Sequence, residues 1–316
     1  MGRDEAKRHC VPGPDGASYF VPAASHIDSM PESQAVQPAP CSTRMKETNQ
    51  FRRWQRRSIR LLADLARLSR SCQDEDGEER LHRLRVALRR VRLYLRLARP
   101  WLGPDTMDEF RRWSAALAET TGRVRDLDVG LAWLRGKAGA SEVRELLRRR
   151  RSRLWNKSKV RLSPPPTALA AALEGLAESK ERTRQFAKRL RKRTEEFKAE
   201  VARQSPGFPG SSPAARHELR RTLRRWRYLH ELLLPCRKHA RDRLLKLLIQ
   251  AQEAIGEERN RHVTDGLLRR LRGSGGRTEL MERLERERAE WACRANAALK
   301  TIGDGLRRNR AKPWND

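Results

Sequence analysis

His82-Arg83-Leu84-Arg85-Val86-Ala87-Leu88-Arg89-Arg90-Val91-Arg92 and His217-Glu218-Leu219-Arg220-Arg221-Thr222-Leu223-Arg224-Arg225-Trp226-Arg227 follow one pattern, H-x-L-R-x-x-L-R-R-x-R, 135 residues apart. A second landmark follows each copy. Gly122-Arg123-Val124-Arg125-Asp126-Leu127-Asp128-Val129 aligns with Gly256-Glu257-Glu258-Arg259-Asn260-Arg261-His262-Val263 at an offset of 134. Two landmarks in the same order point to internal duplication, and a long repeat sets the architecture before finer detail does.

Read as helix, the first copy has two faces. His82, Arg85, Arg89, Arg92 and Arg96 recur at three- and four-residue spacing and form one cationic row. Leu81, Leu84, Leu88, Val91 and Leu95 form an apolar row about 100° away. The charged row therefore borders the core-facing row instead of lying opposite it. His217, Arg220, Arg224 and Arg227 stand in the same relation to Leu219, Leu223 and Trp226. Arginines at the edge of a core are partly desolvated and need anionic partners. The row holds almost no acid at i±4 to supply them. A row repeating each turn, about 5.4 Å, suits an anion charged at short regular intervals.

Outward from these helices, proline and glycine punctuate the chain. Pro100 and Pro104, Pro164 to Pro166, and Pro206, Pro209 and Pro213 mark breaks, as do Gly77, Gly136, Gly139 and Gly273 to Gly276. The segments between predict eight helices, at about 47–72, 79–99, 105–135, 141–161, 167–204, 213–234, 237–272 and 277–309. The triple proline divides them four and four. Residues 46–163 hold 31 basic and 15 acidic residues, and 164–316 hold 36 and 20, so each half carries +16. Residues 1–45 carry six of the sixteen prolines, no apolar periodicity and a charge of −1. They read as a disordered tail, with Met45 as an alternative start. Val and Ile number only 16, which argues against a large sheet. The expectation is an all-α chain: a tail at 1–45, one four-helix bundle at 46–163, a second at 164–309 related to it by a pseudo-two-fold axis, and a short tail at 310–316. A basic groove or channel would lie between the bundles.

The charge bounds the function. Lys plus Arg number 71 against 40 acids, a net +31, and 58 of the 71 are arginine. Such an excess implies a polyanionic partner. Arginine's planar fork grips phosphate oxygens two at a time, which lysine cannot do. No run of about 18 apolar residues exists to span a membrane. No basic-then-apolar leader opens the sequence. The cysteines, Cys10, Cys41, Cys72, Cys236 and Cys293, are odd in number and lack CxxC spacing. That disfavours a disulfide framework or a zinc site and points to a reducing cytosol.

Catalytic signals are weak. No phosphate-cradling glycine loop, GxSxG elbow or HExxH occurs, and Gly273–Gly276 lacks the Lys-Ser/Thr of a P-loop. Asp126 and Asp128 follow Arg125 in the third helix, and their expected role is an internal salt bridge holding row arginines in place. A metal or general-base pair is the alternative, but Asn260 and His262 occupy the equivalent positions. Each histidine that opens an arginine row can donate to a phosphate, and the crowd of arginines should depress its pKa. No second His or Cys stands at ligand spacing with either. His230, His239 and His262 lack counterparts and read as structural.

The His82–Arg92 helix, its looser copy ending Arg227-Tyr228, and Val124-Arg125-Asp126-Leu127-Asp128-Val129 resemble the CHAD family, the conserved histidine α-helical domain, over roughly 46–309. The resemblance implies two four-helix bundles about a basic channel, binding of inorganic polyphosphate, and association with polyphosphate granules. It implies a site of His82, Arg85, Arg89, Arg90 and Arg92 with His217, Arg220, Arg224, Arg225, Arg227 and Tyr228, to which Arg125 and Arg259 add weaker contacts. Some relatives are fused to triphosphatase domains, and this chain shows none, so no cofactor, metal or catalysis is expected. The leading expectation is a non-enzymatic, cytoplasmic polyphosphate binder without a membrane partner. A nucleic-acid binder is the alternative, and a metal-dependent phosphohydrolase a third reading. Aromatics are 5% of the chain, and the rows hold only His and Arg, which favours an anion without bases.

Overall fold

The computed structural model describes residues 43–271 and 277–310. Among these it is all-α, with nine helices: α1 (Thr43–Asp74), α2 (Glu78–Ala98), α3 (Pro104–Trp133), α4 (Ser141–Lys159), α5 (Thr167–Glu174), α6 (Lys180–Gln204), α7 (Pro213–Leu233), α8 (Arg243–Arg269) and α9 (Arg277–Arg310). The tail expected at 1–45 lies outside the described residues as far as 42. Its last three residues are helical, because α1 begins at Thr43. The glycine run 273–276 and residues 311–316 also lie outside them.

Local chemistry explains most boundaries. Pro104 and Pro213 open α3 and α7, where a missing N–H costs nothing. Ser212 Oγ accepts from the Ala215 amide at 3.2 Å. Gly136 and Gly139 both have φ of 68°, the left-handed turn that glycine permits between α3 and α4. The single helix expected at 167–204 is two. α5 ends at Gly175, and Gln55 Nε2 caps it by donating to the carbonyls of Leu173 and Leu176 at 2.7 and 3.1 Å. α6 restarts behind Ser179, whose hydroxyl accepts from the Arg182 amide at 3.1 Å. Likewise 237–272 does not begin as α-helix. Cys236–Arg241 form 3-10 turns, and α8 starts after Asp242 caps the Leu245 amide at 2.6 Å.

Three apolar clusters hold the helices. Phe51, Trp54 and Phe186 pack ring on ring, with centroids 5.0–5.6 Å apart, in a core joining α1 to α6 and the end of α7. Trp226, Leu248, Ile255 and Leu299 anchor a second among α6–α9. Leu134, Leu147, Leu268 and Leu284 form a third, from α3, α4, α8 and α9. Two of these draw on both sides of Pro164–Pro166, so the four-and-four division by sequence is not a division of the core. The reason is geometric: α6 packs on α1, and α3 on α8.

Candidate anion-binding site

The arginine rows of α2 and α7 meet. Arg89 of α2 lies in the field of Arg220, Arg224 and Arg227 of α7, and its guanidinium bonds the phenol of the buried Tyr228. Among the described residues Arg85, Arg89, Arg220 and Arg224 form no ion pair with any carboxylate. The Nε atoms of Arg85, Arg89 and Arg220, and Nδ1 of His217, are buried without a hydrogen-bond partner. Such groups are rare in proteins and ask for an explanation.

Crowding like charges at a core edge disfavours the charged form of each. Burial first, then neighbouring arginines, hold Arg85 and Arg220 at a pKa of about 10 and Arg224 at about 9. His82 and His217 fall to about 4 for the same reasons, with Arg125 acting on the first and Arg259 on the second. Both are neutral at pH 7. Burial raises the Tyr228 phenol, but Arg89, Arg227, Arg90 and Arg224 outweigh it and hold it below its usual value.

The other expected residues divide by what they already touch. Glu231, itself buried, takes Arg90 at 3.0 Å and Arg227 at 3.3 Å, and both guanidiniums lie over the Tyr228 ring, at 4.7 and 5.0 Å. Arg92 Nε donates to Ser114 at 2.9 Å. Arg225 reaches Glu218 at 3.5 Å and covers Phe197. Arg125 is 3.2 Å from Glu78. Arg259 makes no ion pair among the described residues and stands beside His217, Arg220 and His262 around a small pocket.

Asp128 does not hold row arginines, contrary to expectation. It is 1% exposed and accepts from Arg151 of α4 at 2.5 Å, and Arg151 also pairs with Asp76. Its nearest other cation is Arg125, at 3.9 Å. Asp126 sits among Arg85, Arg125 and Arg259. What positions the α2 row is hydroxyl, not carboxylate. Arg85 donates to Thr121 Oγ1 at 2.6 Å and the Ala118 carbonyl at 2.9 Å. Ser114, Thr121 and Asp128 recur every seven residues on α3 and are all buried, a polar seam that sequence periodicity could have shown. His230 pairs with Asp242 at 3.0 Å, and His239 with the Glu231 carbonyl at 3.0 Å, both structural. His262, expected to be structural, instead joins the site's edge, with Nδ1 buried and unpartnered. Its signal was its place opposite Asp128 in the repeat.

Residues 49–269 match the family described as CHAD domain. The chain belongs to the CHAD family. The fold agrees: the crystal structure of the CHAD domain from the plant Ricinus communis is similar at a TM-score of 0.53 and 20% identity, covering 83% of this CHAD protein and 87% of that chain. PptA from Streptomyces chartreusis is similar at 0.49 and 17% identity, covering 81% and 98%. No curated protein matches. Among the described residues no helix of this CHAD protein is long and apolar enough to cross a membrane, and no cluster of His, Cys, Asp or Glu could hold a metal.

Proposed function

We propose that this CHAD protein binds inorganic polyphosphate, without hydrolysing it, at a site shared by α2 and α7. One observation carries the reading: Arg85, Arg89, Arg220 and Arg224 converge, and among the described residues none of them is in an ion pair with a carboxylate. Their depressed pKa values mean that an incoming anion gains more there than at a solvated face. Arginine forks on two helices suit a linear chain of phosphates, and engaging both rows adds effective concentration. The repeat in the sequence supports a shared site, since Arg85 approaches Gly122 as Arg220 approaches Gly256. Family membership agrees with a phosphate polymer, and the reading extends to association with polyphosphate granules in the cytoplasm.

Nucleic acid is the second reading, on charge alone. The aromatic ring within the cluster, Tyr228, is buried and covered by Arg90 and Arg227, so it offers bases no stacking surface. Catalysis would need a free carboxylate pair, and Asp128 is taken by Arg151. The test is competition among polyphosphate, DNA and RNA at matched phosphate concentration and about 150 mM salt, with orthophosphate release followed under Mg²⁺ and Mn²⁺. Polyphosphate should bind tightest and remain intact. Equal or tighter binding of single-stranded RNA overturns the ligand, and metal-dependent phosphate release overturns the binding-only role.

A further inference from the structure

A cavity of about 720 Å³ lies among α6, α7, α8 and α9, on different residues from the arginine rows. That volume is in the range of small-molecule sites. Its wall is apolar: buried Trp226 and Ile302, with Leu233, Leu244, Leu247 and Leu306 left partly exposed into it. Gly305 is part of the wall, and a Cβ there would meet nothing within 4 Å. In a chain only 37% apolar, so many leucines facing one unfilled space suggest an apolar occupant.

The rim adds a charge preference. Lys198 is paired with Glu195 at 3.0 Å, and His230 with Asp242 at 3.0 Å. Arg243 is exposed and has no carboxylate partner among the described residues. It stands at the first position of α8, where the helix dipole already disfavours a cation. An anion placed there is attracted by the guanidinium, while the helix end itself is already capped by Asp242. We propose that this cavity binds a single-chain anionic amphiphile of the fatty-carboxylate class, its chain against the leucines and its head at Arg243.

Calorimetric titration of the full chain with dodecanoate below its micelle concentration tests this. One equivalent should bind, dodecylamine should bind at least ten-fold more weakly, and saturating polyphosphate should leave dodecanoate binding unchanged. Gly305→Phe, which puts a ring on the cavity wall, should weaken binding at least ten-fold, and so should Arg243→Glu. Both variants should keep wild-type helicity and polyphosphate affinity. Leu247→Trp serves as a second filling variant should Gly305→Phe fail to fold. Absence of saturable dodecanoate binding overturns the proposal, as does equal binding of the amine. Competition by polyphosphate would place dodecanoate at the arginine rows and also overturn it. Binding seen only after Trp314→Ala would make the chain's own C-terminal segment the occupant, with the same consequence. None of these outcomes bears on whether polyphosphate binds.

Discussion

Arg220 lies over Gly256: a Cβ at Gly256 would come within 3.3 Å of its Nη2. Arg85 bears the same relation to Gly122, more loosely, at 4.0 Å to Nη1. The glycine on one helix makes room for the guanidinium of another. Gly256→Val should therefore displace Arg220 and weaken polyphosphate binding about ten-fold, roughly the 1.4 kcal/mol of one displaced charge-assisted contact. Gly122→Ala should cost much less. Fluorescence titration with helicity checked by circular dichroism decides it, and equal losses would mean the spacing is immaterial.

The two rows should act as one site. Replacing Arg85 and Arg89 by Ala should weaken long polyphosphate severely, and so should replacing Arg220 and Arg224. The exposed pair Arg148 and Arg149 on α4 serves as control. Its loss should cost much less, because attraction beyond about 8 Å is screened at physiological salt. The salt dependence of binding should also become shallower in the row variants, since fewer counterions are released. If all three double variants lose affinity equally, bulk charge and not the rows determines binding.

Unpaired arginines should burden the ligand-free fold. Arg224 has its pKa lowered to about 9 by burial, then by Arg89 and Arg220, so its charge is held at a cost. Arg224→Met removes that charge and keeps the packing volume. The variant should unfold at higher temperature without ligand, by about 1 kcal/mol of added stability, while binding polyphosphate more weakly. Calorimetric scans with and without polyphosphate read both effects, and a lower melting temperature without ligand contradicts the account.

The histidines predict a pH dependence. His82 and His217 have folded pKa values near 4, below the ordinary value of about 6.5. Between these values the unfolded chain binds protons that the folded chain refuses, so their contribution to stability declines as pH falls from about 6.5 to 4. A bound polyanion raises both pKa values, so affinity should climb as pH falls over the same window. His82→Gln with His217→Gln should flatten that climb. An unchanged pH profile in the double variant would show that neither ring meets the anion.

Glu287 joins α3 to α9. It accepts from Trp133 Nε1 at 2.7 Å and Lys137 at 3.0 Å, and pairs with Arg261 at 3.3 Å. Burial raises its carboxyl, but Trp133, Lys137 and Arg283 outweigh burial and hold the pKa at about 2. Its stabilisation is present above the ordinary carboxylate value and is lost as pH falls toward 2. Glu287→Gln should destabilise by about 1–3 kcal/mol in urea unfolding at neutral pH, and much less near pH 3. An equal loss at both pH values would show that the carboxylate charge is not what matters.

The sequence alone determined the helices, their main breaks and the two His-Arg rows, because proline, glycine and 3.6-residue periodicity act locally. It placed both His-Arg rows in phase on α2 and α7, since a side chain's phase on its own helix does not depend on what packs against it. The split at Gly175–Ser179 escaped it, because the break is stabilised by Gln55, far away in sequence. Tertiary structure decided which arginines stay free. Periodicity treats Arg89 and Arg90 alike, yet the fold brings Glu231 to Arg90 and leaves Arg89 without a carboxylate. It also brings Arg151 to Asp128, and so ties that carboxylate to α4 and not to the rows. Ion pairing and desolvation depend on what the opposite helix delivers, and that is set by how the apolar faces pack, not by the spacing of charges along one helix.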